Sequence, residues 1–322
     1  MALRAVFMGT PDFGVPTLRA LAADPGIHVV AAVTAPDRPC GRGRSVRAPA
    51  AKLAAGAIGV PVMQPAAVNA PAFLDALRGY APEVVVVAAF GQILGPALLA
   101  LPTLGCLNVH ASLLPRYRGA APIQWALAEG DTETGVTIQK MVQAVDAGDV
   151  LVQHATPVGP DETAEELFVR LAAMGGPAAV ESVHLLAAAK GRAGAPQDES
   201  RATYAPRLTR EDGRLDWQWP AEKIHNRVRG FNPWPGTTTT AGGENLKVLA
   251  TERSDRPAPK DKPPGTVLAA GARGWWVAAG RGTTLWIRRV QCANRKIMDA
   301  QAFTCGYHFG AGDRLTTGAP CA

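Results

Sequence analysis

Short apolar runs alternate with amphipathic stretches along residues 1–189. The apolar runs predict strands, and Glu83–Phe90, with four consecutive valines, is typical of a strand that is buried on both faces. The other predicted strands are Leu3–Met8, Ile27–Val33, Val60–Met63, Leu104–Val109 and Gly135–Val142, and the predicted helices are Val15–Ala23, Ala72–Tyr80, Ala121–Ala128 and Thr163–Ala189, the last interrupted near Gly175–Pro177. This alternation indicates an α/β domain in which helices cover both faces of a parallel sheet.

A different pattern begins after a polar, turn-rich stretch at residues 190–206, which we interpret as a linker. Beyond it, short β-type runs are separated by turns rich in glycine and proline, and only Ala221–Val228 looks helical. The predicted strands are Lys247–Ala250, Gly265–Leu268, Trp275–Ala278 and Thr284–Arg289. Such a pattern is typical of a small β-barrel or sandwich, so the sequence predicts two domains, residues 1–189 and residues 207–322.

The formal net charge of +6 is unevenly distributed. Residues 1–189 hold 12 Lys/Arg and 15 Asp/Glu, a net of −3, whereas residues 190–322 hold 21 and 12, a net of +9. This asymmetry favours a polyanionic partner for the second half, although a solvated basic surface explains it equally well.

The cysteines and the hydropathy of the chain indicate where in the cell the protein is expected. The five cysteines are scattered without C-x-x-C spacing, so we expect neither a disulfide framework nor a metal site. The chain opens on a strand-like segment without a signal-peptide pattern, and it has no run of 18 uncharged apolar residues. We therefore expect a cytoplasmic protein that does not span a membrane.

The pair Asn108 and His110 directly follows a predicted strand. Ligands of open parallel sheets bind beyond the carboxyl ends of strands, and two residues of spacing put both side chains on one side. An amide can hold a developing oxyanion while an imidazole moves a proton, so the pair suits acyl transfer. A satisfied polar pair at a strand end is the alternative interpretation.

Asp146, in the segment Asp146-Ala-Gly-Asp149, is a candidate partner for this pair. A carboxylate there could orient His110 and stabilise its protonated form. An Asx-turn or a helix cap is the commoner role of aspartate in such a loop, and Asp149 competes for any role given to Asp146.

Two further loops could contact ligands. Ser112, Leu113, Leu114 and Pro115 follow His110; the leucines could cover a pterin ring, although packing under the loop explains them as well. The loop Pro36–Lys52 has no acidic residue after position 37, and its basic residues are Arg38, Arg42, Arg44, Arg47 and Lys52. That cluster is a candidate phosphate contact, with a solvated basic loop as the alternative.

The segment Gly9–Gly14 resembles a phosphate loop only superficially. It lacks the spacing of a dinucleotide or Walker motif, and Pro11 removes a backbone donor. We therefore interpret it as a turn on the substrate side of the sheet.

Taken together, these motifs make the chain resemble the methionyl-tRNA formyltransferases. The segments that carry the resemblance run in order along nearly the whole chain: Phe7–Gly14, Pro36–Pro39 with Gly41–Arg44, Asn108–Pro115, Arg118–Gln124, Thr134–Thr137, Asp146–Asp149, Thr203–Pro206, Asp216-Trp217 and Phe231–Gly236. The block Asn108–Pro115 with its downstream aspartate points to formyltetrahydrofolate-using enzymes in general. The basic loop and Phe231–Gly236 narrow the resemblance to the members that modify tRNA.

The resemblance implies a Rossmann-like catalytic domain followed by a small OB-like β-barrel that binds tRNA. It implies 10-formyltetrahydrofolate as formyl donor, without a metal, and the α-amine of methionine on initiator tRNA as acceptor. By motif position, Asn108, His110 and Asp146 are the catalytic residues, and the segment Ser112–Pro115 contacts the folate. Arg38, Arg42 and Arg44 are expected to contact the tRNA.

The resemblance ends near the carboxyl terminus, where Cys305–Ala322 is glycine-rich and has little apolar content. We carry over neither structure nor tRNA contacts to that segment, and we expect part of it to be mobile. The remaining alternatives are a formyltransferase acting on glycinamide ribonucleotide or an amino-sugar nucleotide, and an RNA-binding protein with a vestigial catalytic domain. We expect a monomer.

Overall fold

A computed structural model describes residues 2–40 and 45–318. The chain divides into two compact units, each drawn from several segments. The first comprises residues 1–119, 133–156 and 168–204, and the second comprises residues 120–132, 157–167 and 205–322.

The first unit is built on a seven-stranded sheet, flanked by helices. The seven strands of this sheet are β1 (Leu3–Gly9), β2 (Ile27–Val33), β5 (Val62–Met63), β6 (Val84–Ala88), β7 (Gly105–His110), β9 (Glu133–Lys140) and β10 (Val150–Pro157). Three short strands lie outside it: β3 (Arg38–Cys40), β4 (Ser45–Arg47) and β8 (Arg118–Gly119). Its helices are α1 (Val15–Ala23), α2 (Ala50–Ala57), α3 (Pro71–Gly79) and α4 (Pro96–Leu99). Next in chain order come α5 (Pro122–Glu129), in the second unit, and α6 (Ala164–Ala188), which contributes to both.

The strand order of the main sheet is β10-β9-β7-β6-β1-β2-β5. The central strands pair in parallel, as predicted, whereas β9 pairs antiparallel with β7 and makes the sheet mixed at one edge. The four valines of β6 are fully buried, because helices cover both faces of the sheet. The chain order reverses direction between β1 and β6, and ligands of such folds bind beyond the carboxyl ends of strands at that point.

Helix α6 is continuous through Pro177, so the predicted interruption near Gly175–Pro177 is wrong. A Cβ on Gly175 would lie 2.8 Å from Val109, and a Cβ on Gly176 would lie 3.0 Å from Ala20. The glycines therefore allow close packing rather than ending the helix. This helix is long and apolar enough to cross a membrane by composition alone, but half of its most apolar window is buried inside the protein, as in a core helix.

The second unit contains a curled antiparallel sheet of seven strands. The elements that complete the chain are β11 (Tyr204–Ala205), α7 (Ala221–Phe231), β12 (Thr237–Ala241), β13 (Glu244–Ser254), β14 (Val267–Gly271), β15 (Gly274–Ala278), β16 (Thr284–Cys292), β17 (Met298–Asp299), α8 (Ala300–Tyr307) and β18 (Thr316–Thr317). Its core gathers Trp275, Phe303 and Phe309 around the inner face of the sheet. The predicted fold class, a Rossmann-like domain followed by a small barrel-like β-domain, is confirmed.

One segment differs from its prediction, and the carboxyl-terminal tail has structure that was not predicted from the sequence. Residues of the expected loop at 36–52 form the hairpin β3–β4 and the start of α2. The tail from Cys305 to residue 318 packs against the second unit, because Phe309 and Leu315 are buried in its core and β18 pairs with β12.

Candidate active site

The register between β7 and β9 assembles one side of the candidate site. Asn108 lies opposite Gln139 and His110 lies opposite Thr137 in this antiparallel pair. Side chains two residues apart share one face of a strand, and partners directly opposite are neighbours on that face. The two strands therefore bring these four polar side chains together on one face of the sheet, at the carboxyl end of β7.

Both ring nitrogens of His110 face protein acceptors, and the side chain is only 5% exposed. Nε2 lies 2.9 Å from the carbonyl oxygen of Tyr117, and this contact requires the proton on Nε2 because a carbonyl oxygen can only accept. Nδ1 lies 3.5 Å from Oδ2 of Asp146, a loose contact for a hydrogen bond. With the proton of the neutral ring on Nε2, Nδ1 gains a proton only when the ring becomes cationic, and Asp146 is the carboxylate beside it.

Asp146 accepts hydrogen bonds from three directions. Its Oδ1 accepts from Nδ2 of Asn108 at 3.2 Å and from Nε2 of Gln139 at 2.7 Å, and its Oδ2 accepts from the backbone N–H of Gly119 at 2.8 Å. The residue has a φ of 50°, in the left-handed region that aspartate tolerates better than most residues. The side chain is thus fixed against Asn108 and His110.

Asp149 is not part of this cluster. Its side chain is exposed, whereas that of Asp146 is 12% exposed. The glycine between them cannot be replaced without movement, because a Cβ on Gly148 would lie 1.7 Å from the carbonyl oxygen of Lys140. The tight turn that this allows directs Asp146 inward and leaves Asp149 at the surface.

The segment Ser112–Pro115 is tied down by hydrogen bonds within the first unit. The Ser112 hydroxyl is fully buried and donates to the carbonyl oxygen of Arg116 at 2.6 Å. Thr137 donates to the Ser112 carbonyl and accepts from the Leu114 amide. Leu114 is buried, so Leu113 and Pro115, each half-buried, are the members of this segment that offer surface to a ligand.

The turn after β1 packs closely against the end of β6. A Cβ on Gly9 would lie 2.9 Å, and one on Gly14 3.0 Å, from the carbonyl oxygen of Ala88. The Thr10 hydroxyl donates to the carbonyl oxygen of Phe90 at 3.1 Å, and it accepts from the Ala35 amide. The segment Gly9–Gly14 thus joins the carboxyl ends of three strands at the point where the strand order reverses.

Among the predicted basic residues, Arg38 is described, while Arg42 and Arg44 lie outside the described residues. Arg38 and Arg47 are exposed cross-strand partners in the β3–β4 hairpin, an arrangement that like charges disfavour. At the base of the hairpin, Lys52 donates to both oxygens of Asp37, and its ammonium group lowers the pKa of that carboxyl.

Sequence reasoning missed three polar residues beside Asp146. Gln139, Gln197 and Arg118 form a connected set of hydrogen bonds, described below, and Arg118 is 3% exposed. The Glu199 carboxylate raises the pKa of the Arg118 guanidinium, which in turn lowers the pKa of Glu199. No distinct signal in the sequence indicates Gln139, because β9 also contains the polar residues Glu133, Thr134, Thr137 and Lys140. Across the described ranges, no group of three or more His, Cys, Asp or Glu side chains could hold a metal ion.

A cavity of about 430 Å³ lies elsewhere in the first unit. It is lined by the first residues of β1 and β2, among them Arg4, Ile27 and His28. It lies at the opposite edge of the sheet from Asn108 and His110 and adds nothing to the candidate site.

The sequence matches two family models, in agreement with the fold and with the Asn108–His110–Asp146 cluster. A model described as formyl transferase covers residues 3–183, and one described as formyl transferase, C-terminal domain, covers residues 207–308. The chain belongs to the formyl transferase family.

Two relatives show which members of that family the chain is similar to. A protein of Desulfotalea psychrophila named methionyl-tRNA formyltransferase is 45% identical over 98% of this chain and 96% of its own length. A protein of Anaeromyxobacter dehalogenans with the same name is 49% identical over 92% of this chain and 95% of its own length. The resemblance seen in the sequence is confirmed.

Solved structures share the fold at low identity. HypX from Aquifex aeolicus, in complex with tetrahydrofolic acid, is 15% identical with a TM-score of 0.63, and the match covers 95% of this chain and 48% of that one. The N-formyltransferase from Helicobacter canadensis, in complex with folinic acid and dTDP-3-aminofucose, is 14% identical with a TM-score of 0.63, covering 92% and 100%. At such identities these likenesses establish the fold alone.

Proposed function

We propose that this protein transfers the formyl group of 10-formyltetrahydrofolate to the α-amine of methionine on initiator tRNA, for translation initiation. The observation that carries the proposal is the Asn108–His110–Asp146 cluster at the carboxyl edge of the sheet. It occurs in a chain that is similar over nearly its whole length to proteins named methionyl-tRNA formyltransferase.

The catalytic work falls to three side chains. The reaction needs a neutral amine to attack the formyl carbon, and an oxyanion develops on the formyl oxygen. One N–H of Asn108 is directed to Asp146, which leaves its second N–H free to donate to that oxygen. The loss of such a donor typically costs about 100- to 1000-fold in rate.

His110 is the proposed proton carrier. Because Nε2 donates to the Tyr117 carbonyl, Nδ1 is the atom that takes a proton from the attacking amine and passes it toward the departing folate nitrogen. Asp146 stabilises the protonated ring from 3.5 Å. General acid–base assistance of this kind contributes roughly 100- to 10,000-fold.

The formyl donor is assigned to the edge of the sheet next to Ser112–Pro115. A pterin offers an apolar face with hydrogen-bonding edges, and this segment offers half-exposed apolar surface at Leu113 and Pro115. The buried Ser112 and Leu114 would act by shaping the loop. Folate compounds in the solved relatives named above are in line with this assignment.

The acceptor is assigned to the basic hairpin and the second domain. Exposed Arg38 and Arg47 face each other across the hairpin, and the adjacent Asp37 is paired with Lys52. Arg42 and Arg44 belong to the same sequence cluster. Residues 207–322 form the proposed tRNA-binding domain, where positive charge predominates. We further propose that the protein acts as a cytoplasmic monomer without a membrane partner.

A direct experiment tests this function. The protein is incubated with 10-formyltetrahydrofolate and methionine-charged initiator tRNA, and formyl-methionine is measured after release from the tRNA. Parallel reactions offer glycinamide ribonucleotide or an amino-sugar nucleotide. Formyl-methionine should accumulate much faster than the other products, and faster formylation of a small amine would contradict the proposal.

A further inference from the structure

The Asp146 carboxylate is held by a side chain to which neither the motifs nor the family resemblance gives a role. Gln139 lies on β9, directly opposite Asn108, and it is 2% exposed. Its Nε2 donates to Oδ1 of Asp146 at 2.7 Å, the shortest of the three hydrogen bonds to that carboxylate. A buried amide with this geometry has a defined orientation.

The other end of Gln139 holds the turn that follows Asp146. Its Oε1 accepts from the backbone N–H of Gly148 at 3.2 Å and from Nε2 of Gln197 at 3.4 Å. One side chain therefore fixes both the carboxylate and the backbone two residues later. This explains how the left-handed conformation of Asp146 is maintained.

Gln197 fixes the same turn from the other side. Its Nε2 donates to the carbonyl oxygens of Asp146 at 2.9 Å and Gly148 at 2.7 Å. Its Oε1 accepts from Nε and Nη2 of Arg118, at 3.1 and 2.8 Å, and the Arg118 guanidinium is paired with Glu199. Because Arg118 can only donate, the orientation of the Gln197 amide is determined.

We infer that Gln139 is a positioning residue for the reaction: it holds the Asp146 carboxylate against Asn108 and His110, while Gln197 holds the backbone of the Asp146–Gly148 turn. Gln139 does not touch the substrate. It acts by keeping Oδ1 directed at Asn108 and Oδ2 at His110, where a displacement of about 1 Å can cost on the order of 100-fold in rate. This inference rests on the proposed function.

Two substitutions of Gln139 separate positioning from packing. Gln139→Met keeps the length and approximate volume of the side chain but removes all three of its hydrogen bonds, to Asp146, Gly148 and Gln197. Gln139→Glu keeps an acceptor for Gly148 and Gln197 but faces Asp146 with a second carboxylate. Two carboxylates so close cannot both ionise without strong repulsion. The matched controls are Gln143→Met and Gln143→Glu, at an exposed position in the segment between β9 and Asp146.

The kinetic readout is kcat and both KM values as a function of pH. We expect Gln139→Met to lower kcat about 10- to 100-fold at every pH, with KM for tRNA and folate nearly unchanged. We expect Gln139→Glu to approach wild-type kcat at low pH and to lose activity as the pH rises. A wild-type kcat in Gln139→Met would overturn the inference. So would a Gln139→Glu variant in which kcat falls and KM rises by the same factor, without a new pH dependence.

A second readout does not depend on turnover. The side-chain amide protons of Gln139, identified by NMR through their disappearance in Gln139→Met, should exchange slowly with solvent, and Asp146→Ala should remove much of that protection. Fast exchange in the wild-type protein would overturn the inference. Slow exchange in a protein that formylates no tRNA would refute the proposed function while leaving the contact between Gln139 and Asp146 intact.

Discussion

Asp146 is the residue on which the contacts of the candidate site converge, since Asn108, Gln139 and Gly119 all donate to its carboxylate. We expect Asp146→Asn to lower kcat by roughly 100- to 10,000-fold, because an amide no longer stabilises a protonated His110 and presents an N–H group to other donors. Steady-state formylation of charged tRNA measures the effect, and a circular dichroism melt establishes that the variant is folded.

Asp149→Asn is the matched control, because it makes the same change in the same segment at an exposed side chain. Its kcat should remain within about twofold of wild type, since surface substitutions away from such networks change little. Similar losses in the two variants would show that the segment as a whole, and not Asp146, matters for catalysis.

His225 gives a prediction about stability at the residue scale. It is 3% exposed in the second unit, with Nδ1 against Thr251 and Nε2 against the Pro160 carbonyl. Burial lowers its pKa below the ordinary 6.5, despite the nearby Asp161. The unfolded chain therefore takes up a proton first as the pH falls. The stabilisation is complete above 6.5 and is lost below it, by up to about 1.4 kcal/mol per pH unit.

Urea unfolding between about pH 8 and about pH 5 measures this dependence. His225→Gln should be less stable than wild type at the higher pH but should lose less stability on acidification. The control His28→Gln, at an exposed position, should follow the wild-type curve. An unchanged slope in His225→Gln would show that other groups cause the acid sensitivity.

The sequence could indicate some members of the site and not others, for physical reasons. Asn108 and His110 are two residues apart on one strand, so local spacing alone places them on one face. Gln139 lies seven residues before Asp146, but their contact depends on the turn between them, and Gln197 comes from a distant segment. No spacing pattern in the sequence indicates either contact. The choice between Asp146 and Asp149 depended on the family resemblance, and the geometry now places Asp146 beside the pair.

At the scale of elements, the packing of α6 against β7 affects the position of the candidate catalytic residues, because β7 carries Asn108 and His110. Gly175 of α6 faces Val109, which lies between Asn108 and His110, and an added Cβ would lie 2.8 Å from a Val109 methyl group. Because a valine has no flexible end to move aside, we expect Gly175→Ala to push the helix and strand apart. The expected loss is about 1–3 kcal/mol of unfolding free energy, together with a lower kcat.

Gly56→Ala provides the control, since Gly56 lies in helix α2 with nothing within 4 Å of an added Cβ. Alanine should stabilise that exposed helical position by about 0.5–1 kcal/mol and leave kcat unchanged. Denaturant unfolding and formylation assays on both variants decide the point. A stable, fully active Gly175→Ala protein would mean that α6 and β7 adapt without cost.

The sequence predicts an element well when the burial of its residues matches their polarity, and poorly when it does not. The valines of β6 correctly predict a buried strand. The threonines of β12 are polar, and yet Thr237, Thr238 and Thr239 are buried. Thr237 and Thr239 direct their hydroxyls to backbone carbonyl oxygens, so these polar side chains fit an interior strand. In the tail, two buried apolar residues, Phe309 and Leu315, together with the pairing of β18 with β12, hold a glycine-rich segment against the core.

At the scale of the whole molecule, the uneven charge gives the proposed function a measurable consequence. A protein that binds tRNA through Lys and Arg contacts to phosphates should lose affinity steeply with salt, because binding releases condensed counterions. We expect KM for charged tRNA to rise steeply between low and physiological salt, while KM for the folate changes little. Parallel salt dependence of the two KM values would contradict an electrostatic tRNA interface.

The basic hairpin should account for a defined part of that salt dependence. Arg38 and Arg47 face each other across β3 and β4, so a bound phosphate would relieve their mutual repulsion. Arg38→Ala and Arg47→Ala should each weaken tRNA binding and reduce the slope of log affinity against log salt by about 1. Arg19→Ala removes the same charge from the exposed side of α1 and should leave the slope nearly unchanged. If all three variants lower the slope equally, the effect comes from net charge, and the hairpin has no specific place in tRNA binding.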